Sequence, residues 1–263
     1  MTQPLTTHLQ TINPSSLNRA TTHPFLRLAG SGSIPKPLLA KWLSQDRLYA
    51  QSYVRFIGLL LAKVDLPRMP SATRDSKLDV NEKVLGILVD AITNIQEELG
   101  FFEAVALEYG LDLNTPFETE SSEEVSPFSP SPITHAYIDM FMAAGSPGVS
   151  LLEGLVVLWA TEICYLKAWR FAAGFLEGSE KDKEGNWEED RDGGALRKRF
   201  IPNWSSEGFE DFVRRIGGVV DEFAKQELQG AGADGKGERL GRCERWWRQV
   251  VWLEERFWPD VDI

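Results

Sequence analysis

The sequence predicts an all-α protein. Apolar residues return every three or four positions through several long stretches. Residues that start and stop helices stand at the ends of those stretches. No run of useful length alternates apolar with polar residues as a half-buried strand would, and no internal repeat is present.

In chain order, residues 1–14 read as a flexible N-terminal arm. Ser15-Ser16 then offers an N-cap for a short helix running through His23–Ala29 and ended by Gly30-Ser31-Gly32. A long helix follows over Ile34 to Val64, with Pro35 near its first turn. Leu66 to Ser76, carrying Pro67 and Pro70, reads as a connector. Val84, Leu88, Ala91, Ile95, Leu99, Phe102 and Val105 set a helical period from Leu78 to Tyr109, which Gly110 closes. Thr115 to Pro132 has the Ser, Glu and Pro content of an exposed loop. A short helix over Thr134–Ala144 and a turn at Ser146-Pro147-Gly148 lead into Leu151–Phe175, the most apolar helix. Glu177 to Gly194 reads as a solvated insertion without function. Ser205 or Ser206 starts a helix to about Leu228, and Gln229–Gly241, with five glycines, reads as a flexible linker. The last helix runs from Glu244 to Trp258 and stops at Pro259. The organisation expected is one helical domain over 15–263, with insertions near 115–132, 177–194 and 229–241.

Composition narrows the function. A chain of 263 residues that is 43% hydrophobic and holds nine tryptophans can bury a large core. Its net charge of −11 disfavours nucleic acid, because phosphate contacts need a basic face. No apolar run approaches the ~18 residues needed to span a bilayer. The N-terminus lacks a basic start followed by an apolar block, and two cysteines make no disulfide framework, so the cytoplasm is the expected location. The three histidines lie far apart without ligand spacing, so neither a metal nor a cofactor is expected.

Within the apolar helices stand acids in the wrong place. Trp42, Asp46, Tyr49 and Tyr53 share one side of the first long helix, the side that must be buried. An unpaired carboxylate there costs several kcal/mol or gives up its charge. Glu162 has Leu158, Trp159, Tyr165 and Trp169 as helical neighbours, and Glu254 has Trp247, Val250, Val251 and Phe257. One such acid reads as readily as a core group satisfied by an arginine or by backbone amides. Three from three helices, without three inward bases to answer them, point to a shared polar pocket. Trp42, Tyr49, Tyr53, Trp159, Tyr165 and Trp247 would give it flat walls suited to a planar heteroaromatic ligand. Glu98 is a fourth inward acid that Asn94 and Gln96 could satisfy locally. Cys164 lies about 200° round the helix from Glu162 and reads as core.

The runs His23-Pro24-Phe25, Gly30–Pro35 and Trp42–Tyr49 resemble the opening of the TenA family, the thiaminase II or aminopyrimidine aminohydrolases. Leu158–Tyr165, Asn203–Phe209 and Leu253–Trp258 resemble its later blocks in order. The resemblance implies the haem-oxygenase-like helical bundle. It implies that Asp46 holds the aminopyrimidine edge, that Tyr49 and Tyr137 line the pocket, and that Trp204 stands where many members have tyrosine. It implies that Glu254 handles the proton of the leaving amine. Glu162 falls in the helix where other members carry a catalytic cysteine, which resembles a Glu-type branch of plants and fungi. Arg47 departs from the aromatic residue common after the family's aspartate. The function so implied is hydrolysis of amino- or formylamino-methylpyrimidine to hydroxymethylpyrimidine in thiamin salvage, with Glu162 and Glu254 as catalytic acid and base. The alternative is a non-catalytic pyrimidine-binding or regulatory protein on the same fold. The resemblance also implies a homodimer or homotetramer.

Overall fold

A computed structural model describes residues 3–66, 76–116, 128–176, 187–230 and 232–261. Among these, all regular structure is helical: α1 Leu5–Thr11, α2 Pro14–Thr21, α3 Pro24–Gly30, α4 Lys36–Leu61, α5 Ser76–Tyr109, α6 Pro132–Gly145 and α7 Leu151–Ala173. A π-helical turn, Leu196–Phe200, then runs into α8 Ile201–Trp204, followed by α9 Glu207–Gln229 and α10 Ala233–Phe257. No described helix is long and apolar enough to cross a membrane.

The apolar character of α7 follows from its position. It packs against α2, α3, α4, α6, α8, α9 and α10, so nearly every side of it is buried. Serines start helices around it, and the one before α9 is a cap that the sequence suggests. The Phe209 amide donates to Ser206 Oγ at 3.1 Å, and the Thr134 amide donates to Ser131 Oγ at 3.1 Å. At Ser150 the hydroxyl caps α7 and also donates to Glu153 Oε1 at 2.9 Å. Two core clusters result. One joins α4, α5, α6, α7, α9 and α10 around Phe56, Phe141 and Trp247; the other, at the far end, is rich in aromatics around Trp42, Trp169, Phe200 and Trp204.

Several expectations are corrected. The N-terminal stretch is no loose arm: α1 buries Leu5 and Leu9, and Asp221 of α9 accepts from the Thr6 amide at 2.8 Å and its hydroxyl at 2.7 Å. The single short helix expected next is two, because Pro24 cannot continue α2; His23 Nδ1 caps the second by accepting from the Phe25 amide. The glycine-rich stretch before Glu244 is largely helical, since α10 begins at Ala233. Arg239 ties that turn to the carbonyl of Glu227 at 3.0 Å and to its carboxylate at 2.6 Å, and Arg242 reaches Glu153 at 3.1 Å. These contacts offset the roughly 1 kcal/mol that each interior glycine costs a helix.

The acidic insertion divides. Residues 177–186, like 67–75 and 117–127 of the other expected loops, lie outside the described residues. Its end is firmly held. The Asp192 carboxylate, fully buried, accepts from the amides of Gly194 and Leu196 and so starts the π-helical turn. Arg197 pairs with Asp190 at 2.6 Å, the two side chains only 7% and 6% exposed. Gly32 has φ +70°, and a Cβ there would meet Asp190 Oδ1 at 2.4 Å, so this latch closes only over glycine. Arg197→Met is expected to lower the unfolding free energy by roughly 3 kcal/mol in urea titration, because Asp190 is left buried and unpaired. Adding Asp190→Leu should recover most of that loss.

Candidate functional site

The site is a cavity of about 340 Å³ between α4, α5, α7 and the corner joining α8 to α9. From α4, Asp46, Tyr49, Ala50 and Tyr53 face it, a spacing of three, one and three that keeps them on one side of the helix. Ile95, Glu98 and Phe102 enter from α5, Thr161, Glu162 and Tyr165 from α7, and Trp204 and Phe209 from the corner. Asn94 and Glu97 on one side, with Asn203 and Gly208 on the other, are exposed and mark its mouth.

Each inward acid meets an aromatic donor rather than a base. The Tyr165 hydroxyl donates to Asp46 Oδ2 at 3.0 Å and the Tyr53 hydroxyl to Glu162 Oε1 at 2.5 Å. The Trp204 indole donates to Glu98 Oε1 at 2.6 Å and the Tyr137 hydroxyl to Glu254 Oε1 at 2.7 Å. These are neutral donors, so they satisfy one oxygen without supplying a counter-charge. Desolvation therefore dominates the titration of all four acids. It pushes Asp46 and Glu162 up to about 7, against the opposing bonds from Tyr165 and Tyr53. Glu98 and Glu254 are pushed up to about 8, with the charge of Asp46 adding to burial in both. The same burial drives Tyr49, Tyr53, Tyr137 and Tyr165 well above the usual phenol range, so they stay protonated donors. At neutral pH the site holds carboxyl groups that can either give or take a proton.

The structure brings together Asp46, Tyr49, Glu162 and Trp204 of the expected residues on the cavity wall. Tyr137 and Glu254 stand one layer behind. Tyr137 is 1% exposed, and its ring meets Tyr49 edge-on at 5.0 Å between centroids, so Tyr49 is the wall that faces the cavity. Trp42 does not line the cavity. It lies one turn nearer the start of α4, where Trp169, Trp204 and Trp258 close around it in the aromatic core. Trp159 and Trp247, expected as walls, instead stack on each other at 5.4 Å in the other core. Glu98 finds its partner in Trp204 rather than in Asn94 or Gln96. Its inward spacing was visible, but the long-range indole was not. Cys164 is 1% exposed and burial raises its thiol, as a core residue requires. Among the described residues no group of three or more His, Cys, Asp or Glu could hold a metal ion.

The profile of the TENA/THI-4/PQQC family matches residues 9–233. The chain belongs to that family. A family relative from Fusarium pseudograminearum, a "probable transcription factor", is 33% identical over 280 residues that cover 98% of this chain and 52% of the relative. This chain thus spans about half the length of that relative. A "probable bifunctional TENA-E protein" from Glycine max is 22% identical, over 92% of this chain and 86% of that protein. Two solved TenA-family structures share the fold. A TenA homologue from Pyrococcus furiosus aligns with TM-score 0.68 and 24% identity, covering 97% of this chain and 98% of that one. A "TenA family transcription regulator" from a Silicibacter species aligns with TM-score 0.69 and 16% identity, over 98% and 97%. The bundle is the all-α, haem-oxygenase-like one.

Proposed function

We propose that this chain binds an aminopyrimidine in the cavity and serves as a regulatory, ligand-sensing member of its family. The observation that supports this best is a ring-walled space of about 340 Å³ in which Asp46, Glu98 and Glu162 each keep one oxygen without a partner among the described residues. That volume suits one substituted six-membered heteroaromatic ring. In this reading Tyr49, Tyr53 and Trp204 flank the ring, and Asp46 accepts from its amidine-like edge. The regulatory use draws on the names of the Fusarium relative and the Silicibacter structure. It also draws on the position of Glu254 behind the wall, which removes one of two expected acid–base groups from direct reach. A net charge of −11 opposes phosphate contacts, so regulation here would run through a ligand-dependent protein contact. A homodimer or homotetramer is part of the same proposal.

Hydrolysis is the second reading, and Glu162 favours it. A carboxyl titrating near 7, held by Tyr53 at 2.5 Å on the wall, suits proton transfer at neutral pH. Its proton would go to the leaving nitrogen as the C–N bond breaks. Water would supply the new hydroxyl to the methylene carbon and return a proton to Glu162, giving hydroxymethylpyrimidine and the free amine. Glu254 would act through Tyr137 and Tyr49 as a positioning residue, and Glu162 would mark the Glu-type branch.

Calorimetry and product analysis with 5-aminomethyl-, 5-formylaminomethyl- and 5-hydroxymethyl-pyrimidines and thiamin separate the two. Saturable binding without product, weakened about tenfold or more by Asp46→Asn, is the expected result. Product that disappears in Glu162→Gln would establish the hydrolase instead. No binding by any member of the panel overturns both.

A further inference from the structure

We infer that a second cavity, toward the opposite end of α9 from the first, binds a free alkyl carboxylate, with the chain on its aliphatic floor and the head at Lys225 and Lys236. It shares no lining residue with the ring-walled cavity, so it stands apart from the pyrimidine reading.

The cavity holds about 540 Å³ and lies where the start of α1 meets the last turns of α9 and the early turns of α10. None of its lining residues is aromatic. Pro4, Leu5, Ala224, Leu228 and Leu240 supply its apolar surface, and a lining of that kind without a flat wall suits an alkyl body rather than a ring. Gly237 keeps the space clear, because a Cβ built there meets no atom within 4 Å. Four charged side chains stand around it, and the two acids are already committed. Asp221 turns one oxygen to the Thr6 amide at 2.8 Å and the other to the Thr6 hydroxyl at 2.7 Å. Glu222 pairs with Lys83 at 3.0 Å. The next acid along α9, Glu227, is held by Arg239 at 2.6 Å. Lys225 and Lys236 are exposed, and their ammonium groups have no partner among the described residues. Two cations from two helices thus border one aliphatic hollow without an anion to answer them, in a chain whose net charge is −11. What completes the site is a negative head on an apolar body. Ammonium groups are point charges that a single carboxylate can meet from several directions, and no lining arginine offers the fork that grips a phosphate in two places.

The test is calorimetry with decanoate and decanol, each below the concentration at which it self-associates, at low ionic strength and neutral pH. The wild type is expected to bind decanoate saturably at one site and to prefer it to decanol by about fivefold, as two exposed cations allow. Lys225→Gln with Lys236→Gln should bring that ratio toward one, the loss falling on decanoate. Both positions are exposed, so an unchanged thermal transition is expected of the double variant. Gly237→Phe fills the hollow from α10 without meeting protein atoms and replaces a poor helix former; it should weaken both probes by about tenfold or more. A preference for decanoate that survives the double lysine variant overturns the inference, because the probe then sits elsewhere. So does binding that Gly237→Phe leaves intact, or the absence of saturable binding. Association with vesicles of anionic phospholipid in place of free decanoate would overturn it too, and would make this face a membrane contact instead.

Discussion

Trp169→Ala is expected to lower the unfolding free energy by about 4 kcal/mol and the melting temperature by roughly 10 °C. Trp169 is fully buried on α7, and its indole touches Trp42 at 5.6 Å, Tyr165 at 5.9 Å, Trp204 at 4.5 Å and Trp258 at 5.7 Å between centroids. Removing it opens a void that four other large rings cannot close without leaving their own rotamers. Its indole nitrogen has no hydrogen-bond partner among the described residues, so the loss is chiefly one of packing. Thermal unfolding followed by far-UV circular dichroism checks the magnitude. Trp252→Ala, at a position 47% exposed, is the control and should stay within about 0.5 kcal/mol. A Trp169→Ala variant as stable as that control would show that the aromatic cluster is not the keystone of this end of the bundle.

Ligand-free protein is expected to lose stability as pH rises from about 5 to about 8. The four inward acids release their protons near 7 to 8 in the folded chain, Asp46 and Glu162 at about 7 and Glu98 and Glu254 at about 8. In the unfolded chain carboxyl groups release them near ~4. Between those limits the folded state holds more protons, so raising pH favours unfolding. The stabilisation is fully present below about pH 4 and gone above about pH 8. Each extra proton held is worth about 1.4 kcal/mol per pH unit, and mutual repulsion spreads the four releases over the window. Below the ordinary carboxylate range the sign reverses. There Glu244, held down by His8 and Arg248, and Glu255, held down by Arg19, must be protonated and their pairs lost. Urea midpoints across this range should peak on the acid side of neutrality. Asp46→Asn should flatten the alkaline slope and stand above the wild type near pH 8. A wild-type midpoint that climbs from pH 5 to 8 would show that these acids ionise freely in the folded chain.

Most of the fold was legible because helix periodicity is local. The apolar faces of α4, α5, α7 and α9 and the cap at Ser206 could be read within one or two turns. What escaped depended on distant partners. Gly235, Gly237 and Gly241 argue against a helix by propensity, and only Arg239 and Arg242 reaching across to α9 and α7 explain why α10 includes them. Leu5 and Leu9 look like parts of an arm until α9 covers them. The π-helical turn before Trp204 depends on Asp192, which sat inside an acidic run with no pattern of its own. The site divides in the same way. Asp46 and Glu162 were found by their place on apolar faces, which is a property of one helix. Whether Trp42 and Glu254 reach the cavity depends on how neighbouring helices pack on one another, and no single helix carries that information. Glu98 lost weight beside its polar neighbours, because the indole that meets it lies 106 positions away.

Trp204 belongs to two structures at once. Its indole is 1% exposed in the aromatic core, stacked on Phe200 at 4.8 Å, and the same ring holds Glu98 at the edge of the cavity. The cavity wall therefore has no freedom that the core does not also have. A guest meeting it finds side chains already fixed, and its binding forfeits little rotamer entropy on the protein side. Affinity would then rest on how well the guest matches a rigid outline, a setting in which small changes of shape are punished rather than accommodated.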